Sequence, residues 1–189
     1  MRASSCPALA LGVEQADSWT TDGHKWLNTP YDCAMAICRD ADALAAAMNS
    51  DAAYACAARD AQKNLTLEFS RRARGIAIWA ALANLGREGL RELVDRHIAQ
   101  AGRLADALRA GGYQVLNRVH LNQVLVRADS DEQTVAIRQA AQASGDTWFG
   151  PTVWQERPAL RLSVSSWRTT DADIDALIAL LLRLKQQFA

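Results

Sequence analysis

Lys25 lies in the most chemically loaded stretch of this chain, Ala16-Asp17-Ser18-Trp19-Thr20-Thr21-Asp22-Gly23-His24-Lys25-Trp26-Leu27-Asn28-Thr29-Pro30-Tyr31-Asp32-Cys33. A lysine amine forms a Schiff base with an aldehyde once its surroundings favour the neutral form. A histidine at the adjacent position can donate to an anion such as a phosphate. Together, His24 and Lys25 have the groups to hold a phosphorylated aldehyde. On the dipeptide alone, a pair of solvated surface side chains is the simpler reading. The tryptophans, hydroxyls and turn signals around it set the segment apart.

The longer string resembles the cofactor-lysine motif of the group II pyridoxal phosphate (PLP)-dependent decarboxylases, the family of aromatic amino acid, histidine, glutamate and tyrosine decarboxylases. That pattern is an Asp-Ser with an aromatic or apolar neighbour, a short polar turn, His-Lys-Trp and a closing Asp-Cys. Asp17-Ser18-Trp19, His24-Lys25-Trp26 and Asp32-Cys33 fill those places. Ser70-Arg71-Arg72-Ala73-Arg74, running into Ile78-Trp79, resembles the family's basic segment at the start of a helix. Leu160-Arg161-Leu162-Ser163-Val164-Ser165-Ser166 resembles its C-terminal strand with a single arginine.

The resemblance covers nearly the whole chain and implies the C-terminal part of such an enzyme. Residues 1–69 would be the last stretch of the large PLP-binding domain. Residues 70–189 would be a linking helix and a small α+β domain. The implied fold is PLP-dependent transferase fold type I (aspartate-aminotransferase-like), a mixture of α/β and α+β parts and normally a homodimer with active sites at the interface. The implied activity is an amino acid carboxy-lyase, in which Lys25 forms the internal aldimine with PLP and His24 hydrogen-bonds the cofactor phosphate. On an alternating strand Arg161 is most simply a solvent-facing residue, whereas the resemblance implies that it faces the cleft and helps bind a substrate carboxylate or order its surroundings. The alternatives are an aminotransferase or carbon–carbon lyase of the same fold, or an inactive truncated dimerisation module.

Three departures accompany the resemblance. Asp22 stands where relatives often carry a neutral polar residue, and a carboxylate there repels a phosphate unless it points away. The family's mobile-loop tyrosine has no counterpart in 55–69, with Tyr54 lying just before that stretch. Only 24 residues precede Lys25, whereas the family's pyridine-nitrogen aspartate, ring-stacking residue and most of its phosphate loop lie upstream. The expectation is therefore that the isolated chain binds PLP poorly.

The totals narrow the other classes. The 189 residues carry 21 Lys+Arg and 21 Asp+Glu, so no net charge argues for nucleic acid or an anionic membrane surface. No apolar run nears the ~20 residues that span a bilayer, and a cytoplasmic protein is expected. Cys6, Cys33, Cys38 and Cys56 show no CxxC pair and read as free thiols. The histidines lie too far apart for a zinc site, so no metal is expected.

The positioning elements follow from periodicity. Apolar runs at Leu9–Val13 and Cys33–Cys38 read as buried strands bracketing the lysine segment, like the tail of a parallel α/β layer. Asp40–Met48 reads as a short helix, and 49–69 as a loop with helical turns. Ser70 is the expected N-cap of a helix through Leu85, punctuated by Gly86 and Gly89. A second helix carries Leu90, Leu93, Val94, Ile98, Ala101, Leu104, Ala105 and Leu108, and Gly111-Gly112 stops it. Strands are expected at Tyr113–Leu116, Leu121–Arg127 and Leu160–Ser166, with a turn or strand pair at Trp148–Trp154. Ser130 and Gln133 form a capping box for a helix closing near Gly145. Thr170 and Asp173 open a last helix with the stripe Ile174, Leu177, Ile178, Leu181, Leu184, Phe188. From Leu90 onward this makes a small antiparallel sheet covered by helices. Trp148, Trp154 and Trp167 are expected in core or interface packing, and His97 and His120 in structural roles. Arg71, Arg72 and Arg74 oppose the helix dipole and are expected to have partners elsewhere.

Overall fold

A computed structural model describes residues 10–48, 61–68 and 70–189. The chain groups into two compact units, Met1–Arg87 and Glu88–Ala189.

In the first unit, β1 (Ser18–Asp22) and β2 (Ala34–Cys38) form an antiparallel hairpin, with Ser18 opposite Cys38 and Asp22 opposite Ala34. This corrects the expected parallel layer. The apolar run ending at Val13 is not a strand over its described part, because Gly12 takes a φ of 85° and the backbone continues as a 3₁₀ turn, Val13–Gln15. β1 falls instead on the motif's own Ser18-Trp19-Thr20. Both strands are largely exposed rather than buried. A short apolar run reports a strand without reporting what covers it.

α1 (Ala41–Met48) follows, where Asp40 caps the first turn by accepting from the N–H groups of Asp42 and Ala43 at 3.0 and 2.9 Å. A 3₁₀ turn, Gln62–Asn64, lies within the expected loop. Tyr54, Cys6 and Cys56 lie outside the described residues.

α2 (Arg74–Ala110) is two helices joined at Gly86, whose φ of 62° and ψ of −172° are non-helical. It begins at Arg74, so Ser70 is not its N-cap. Of the two punctuating glycines, Gly86 breaks the helix, while Gly89 lies within it. A glycine without a turn partner costs a helix only about 1 kcal/mol and need not end it.

The second unit holds β3 (Gln114–Val115), β4 (Gln123–Arg127), β5 (Pro151–Trp154) and β6 (Arg157–Ser163) in the antiparallel order β3-β4-β6-β5. The expected small antiparallel sheet is present, although β6 begins and ends three residues earlier than the alternation predicted. Leu160, Leu162 and Val164 are buried and Arg161 and Ser163 exposed, so the alternation itself holds past the strand's end. α3 (Asp131–Ser144) and α4 (Asp171–Gln187) complete the unit. Leu104 and Leu108 of α2 join Val124, Val126, Ile137, Leu160 and Leu181 in one core.

Caps follow the sequence closely. Gly112 turns with a φ of 84°, and the Tyr113 N–H reaches back 2.9 Å to the Leu108 carbonyl. Thr170 and Asp173 make the reciprocal capping box. At α3 only half of it forms: Ser130 Oγ accepts from the Gln133 N–H, but Gln133 Oε1 accepts from the Asp129 N–H. Phe188 falls beyond α4 and is 37% exposed, so it leaves the stripe.

Trp148, Trp154 and Trp167 are 78%, 44% and 57% exposed, which removes them from the core. Trp148 precedes and Trp154 ends the edge strand β5, where no neighbouring strand is hydrogen-bonded on one side. Trp167 lies beneath the Arg168 guanidinium, 5.1 Å from its ring.

His97 is fully buried, with Nε2 donating to the Ser166 carbonyl at 3.1 Å. Burial holds its pKa below the ordinary imidazole value, outweighing that hydrogen bond, and the nearby Arg96 charge adds to the depression. The unfolded histidine takes its proton near pH 6.5, the folded one only at lower pH. Its stabilisation is thus complete above pH 6.5 and is lost as pH falls through the folded value. Unfolding free energy should drop by up to ~1.4 kcal/mol per pH unit in that window. Denaturant melts from pH 7.5 to 5 check it: His97→Gln should flatten the slope, and an equal slope in both chains would contradict it.

Candidate functional site

Lys25 sits in the turn that joins β1 to β2, and the turn is held by its own backbone. The N–H groups of Gly23 and His24 both donate to the Cys33 carbonyl, at 2.7 and 3.3 Å. Thr29 N–H donates to the Gly23 carbonyl at 3.2 Å, closing the turn from the other side. The Lys25 carbonyl accepts from the Asn28 N–H and from Asn28 Nδ2, at 3.2 and 2.8 Å. Asn28 and Asp32 occupy left-handed backbone positions, with φ of 48° and 68°, where short polar residues are the best tolerated after glycine.

Gly23 is buried, and a Cβ there would stand 2.7 Å from Thr29 Oγ1 and 3.2 Å from the Cys33 carbonyl oxygen. Cys33 is 1% exposed, and its thiol donates to the Arg74 carbonyl at 3.0 Å. This buried thiol ties the turn to the start of α2. Cys33 and Cys38 are free, as expected.

His24 Nδ1 lies 3.2 Å from the Cys33 carbonyl oxygen. A carbonyl only accepts, so Nδ1 carries the proton and Nε2 is the nitrogen left for another group. In the neutral ring Nε2 is an acceptor. It donates to an anion only as the imidazolium. The ring also packs on Tyr31, with centroids 4.4 Å apart.

The Lys25 side chain is 65% exposed, and its Nζ lies 2.6 Å from Asp22 Oδ2. The hydrogen bond from Lys25 holds the Asp22 carboxyl below the usual carboxylate range, with help from the charges of Lys25 and His24. Asp22 is therefore turned onto the lysine.

Behind the turn stands a charged layer built from the basic segment. Asp32 accepts from Arg72 at 2.9 Å and from Arg74 at 3.2 Å, and Arg74 also reaches Glu68 at 2.9 Å. Arg71 donates to Gln62 Oε1 at 2.6 Å. The expected partners of the three arginines are these. Asp32 is lowered first by the Arg74 hydrogen bond and then by the Arg72 charge.

Arg161, on β6 of the second unit opposite Leu125 of β4, is exposed, and its side chain makes no hydrogen bond or ion pair among the described residues. His24 and Lys25 are thus adjacent in one turn, while Arg161 lies in a different unit. Among the described residues no cluster of His, Cys, Asp and Glu could hold a metal, and no helix is long and apolar enough to cross a membrane. Gly23, Asn28 and Thr29 shape the turn but do not announce themselves in the sequence. The Asp32-Cys33 pair was visible there, though its anchoring to Arg72 and Arg74 was not.

The turn thus sets an amine beside an imidazole with one nitrogen open. Residues 3–128 match the pyridoxal-dependent decarboxylase conserved domain, and the chain belongs to that family. A 3,4-dihydroxyphenylacetaldehyde synthase of Drosophila melanogaster is 25% identical over 178 residues, covering 90% of this chain and 35% of that protein. An aromatic-L-amino-acid decarboxylase of Drosophila lebanonensis is 25% identical over 181 residues, covering 90% and 44%.

The solved structure of an Oryza sativa TDC with PLP and tryptamine superposes with a TM-score of 0.87 at 23% identity, over 98% of this chain and 42% of that one. Mouse CSAD in its apo form gives 0.83 at 20%, over 97% and 43%. The chain matches part of the fold of group II decarboxylases, fold type I, and spans less than half the length of these relatives.

Proposed function

We propose that this chain is the lysine-bearing, C-terminal part of a PLP-dependent amino acid carboxy-lyase, with residues 1–69 from the large domain and 70–189 forming the linking helix and small domain. The observation that carries the reading is the β1–β2 turn, which presents the Lys25 amine and the open nitrogen of His24 from adjacent residues. Bound PLP supplies an electron sink for the bond broken at the substrate's Cα.

The chain's own groups have three tasks. Lys25 offers its amine to the aldehyde carbon, and the paired hydrogen bonds from Asn28 to its carbonyl fix where that amine starts. His24, its Nδ1 committed to the Cys33 carbonyl, would hold the cofactor phosphate through Nε2. Arg161, whose side chain has no ion pair among the described residues, is the candidate for the substrate carboxylate. A homodimer is the proposed assembly and a small amino acid the proposed substrate class.

Incubating the purified chain with PLP, reducing with borohydride and mapping the adduct by peptide mass tests this reading. Labelling should be weak, in keeping with the poor PLP binding expected of the isolated chain, but should fall on Lys25 and vanish in Lys25→Ala. Adduct on Lys63 or Lys185 alone would overturn it.

A further inference from the structure

We infer that Asp22 is a gating residue for Lys25: its carboxylate holds the amine in an ion pair that must open before the amine reacts with an aldehyde. This rests on the reading of Lys25 as the cofactor lysine and deepens it.

The geometry is specific. Asp22 is the last residue of β1 and Lys25 lies three residues on, across the turn. Lys25 N–H donates to the Asp22 carbonyl at 3.4 Å, so the two residues are joined by backbone as well as by the 2.6 Å contact between side chains. The Asp22 side chain is 35% exposed, against 65% for Lys25, so the carboxylate is the more enclosed partner and the amine is drawn back onto it. No cation other than Lys25 bonds Asp22 among the described residues, whereas the other carboxylate of the motif, Asp32, is held by two arginines. The depressed Asp22 pKa has the same origin, the hydrogen bond from Lys25.

Attack on an aldehyde needs the nitrogen lone pair. The ammonium gives a proton to water, and the lone pair then forms the bond to the carbonyl carbon. The carbonyl oxygen departs as water. A carboxylate bonded to Nζ stands in the way of these steps, because that contact must break before the nitrogen can turn its lone pair to the carbonyl carbon.

The reaction with formaldehyde and cyanoborohydride reads the gate without PLP. The aldehyde condenses with the free amine and the hydride donor reduces the product, giving a methylated lysine located by peptide mass. At pH 7.5 and low salt, Asp22→Asn should raise the rate at Lys25 about two- to fivefold relative to Lys63 and Lys185, the range expected for losing one partly exposed ion pair. The wild-type rate at Lys25 should rise toward the variant's as NaCl is raised to about 1 M, where charges are screened within a few ångströms. The variant's rate should stay flat. Asp22→Glu should restore the slow, salt-sensitive rate, and Asp106→Asn should leave Lys25 unchanged.

Equal Lys25 rates in wild type and Asp22→Asn, or a wild-type rate indifferent to salt, would overturn the inference. Asp22→Ser, also neutral, gives the same reading should the asparagine variant fold poorly. Failure of the cofactor reading looks different: PLP would leave Lys25 unmodified in every chain while the formaldehyde rates still responded to Asp22.

Discussion

Gly23→Ala should destabilise the chain by about 1–3 kcal/mol, the usual cost of forcing a methyl group into filled space. The reason is lack of room rather than backbone freedom. The new Cβ would stand 2.7 Å from Thr29 Oγ1, 3.1 Å from Ile78 Cγ1 and 3.2 Å from the Cys33 carbonyl oxygen. Thr29 is buried, and its backbone is held by the bond from its N–H to the Gly23 carbonyl, so relief at Oγ1 requires a change of side-chain rotamer in a packed surrounding. The Cys33 carbonyl is backbone and accepts from Gly23, His24 and the His24 ring together. Displacing it disturbs every bond that fixes the histidine and the lysine. Urea denaturation checks the stability change, and borohydride trapping of PLP at Lys25 should fall in the same variant. A variant as stable as wild type, with unaltered trapping, would show that the turn has slack that this geometry does not allow.

Leu104→Ala should cost more, about 2–5 kcal/mol. Leu104 is fully buried, in the cluster that includes Leu108, Val124, Ile137, Leu160 and Leu181. Removing its isobutyl group loses the transfer free energy of the buried carbons and leaves a cavity. Helix and sheet backbones on all sides limit how far the walls can close. The spread in the expected value reflects that collapse. Replacing the exposed Leu121 by alanine should change stability by less than ~0.5 kcal/mol. Parallel denaturant titrations of the two variants measure the contrast, and similar losses would contradict the placement of the core.

Much of the second unit was legible because its signals are local. The stripe of α4 and its Thr170–Asp173 box, the Ser130 cap, the Gly112 stop and the alternation at Leu160–Val164 each depend on residues within a few positions of one another. What failed was of another kind. The run ending at Val13 has strand composition, but one glycine with positive φ diverts it. Ser70 has the chemistry of an N-cap, yet the helix begins only at Arg74. β1, Ser18-Trp19-Thr20-Thr21-Asp22, carries no apolar run, so the antiparallel partner of β2 was not legible in the sequence.

The site divides in the same way. The groups that could react, Lys25 and His24, were plain from residue type. The groups that aim them were not, since the Gly23 contact with Thr29 and the Asp32 link to Arg72 and Arg74 depend on residues 6 and about 40 positions apart brought together by folding. Asp22 was visible as an unusual carboxylate in the motif, and only the folded turn brings it onto Lys25.

The central claim is that the turn recognises a phosphorylated aldehyde and not merely that Lys25 is exposed. The direct test compares PLP with pyridoxal, which lacks the phosphate, at equal concentration and pH, with borohydride reduction and peptide mapping of the three lysines. PLP should label Lys25 several-fold more than pyridoxal does. That preference should shrink toward unity in His24→Gln and be absent at Lys63 and Lys185. Equal labelling of Lys25 by the two aldehydes, or a preference no greater than at the other lysines, would show an accessible amine with no cofactor site around it.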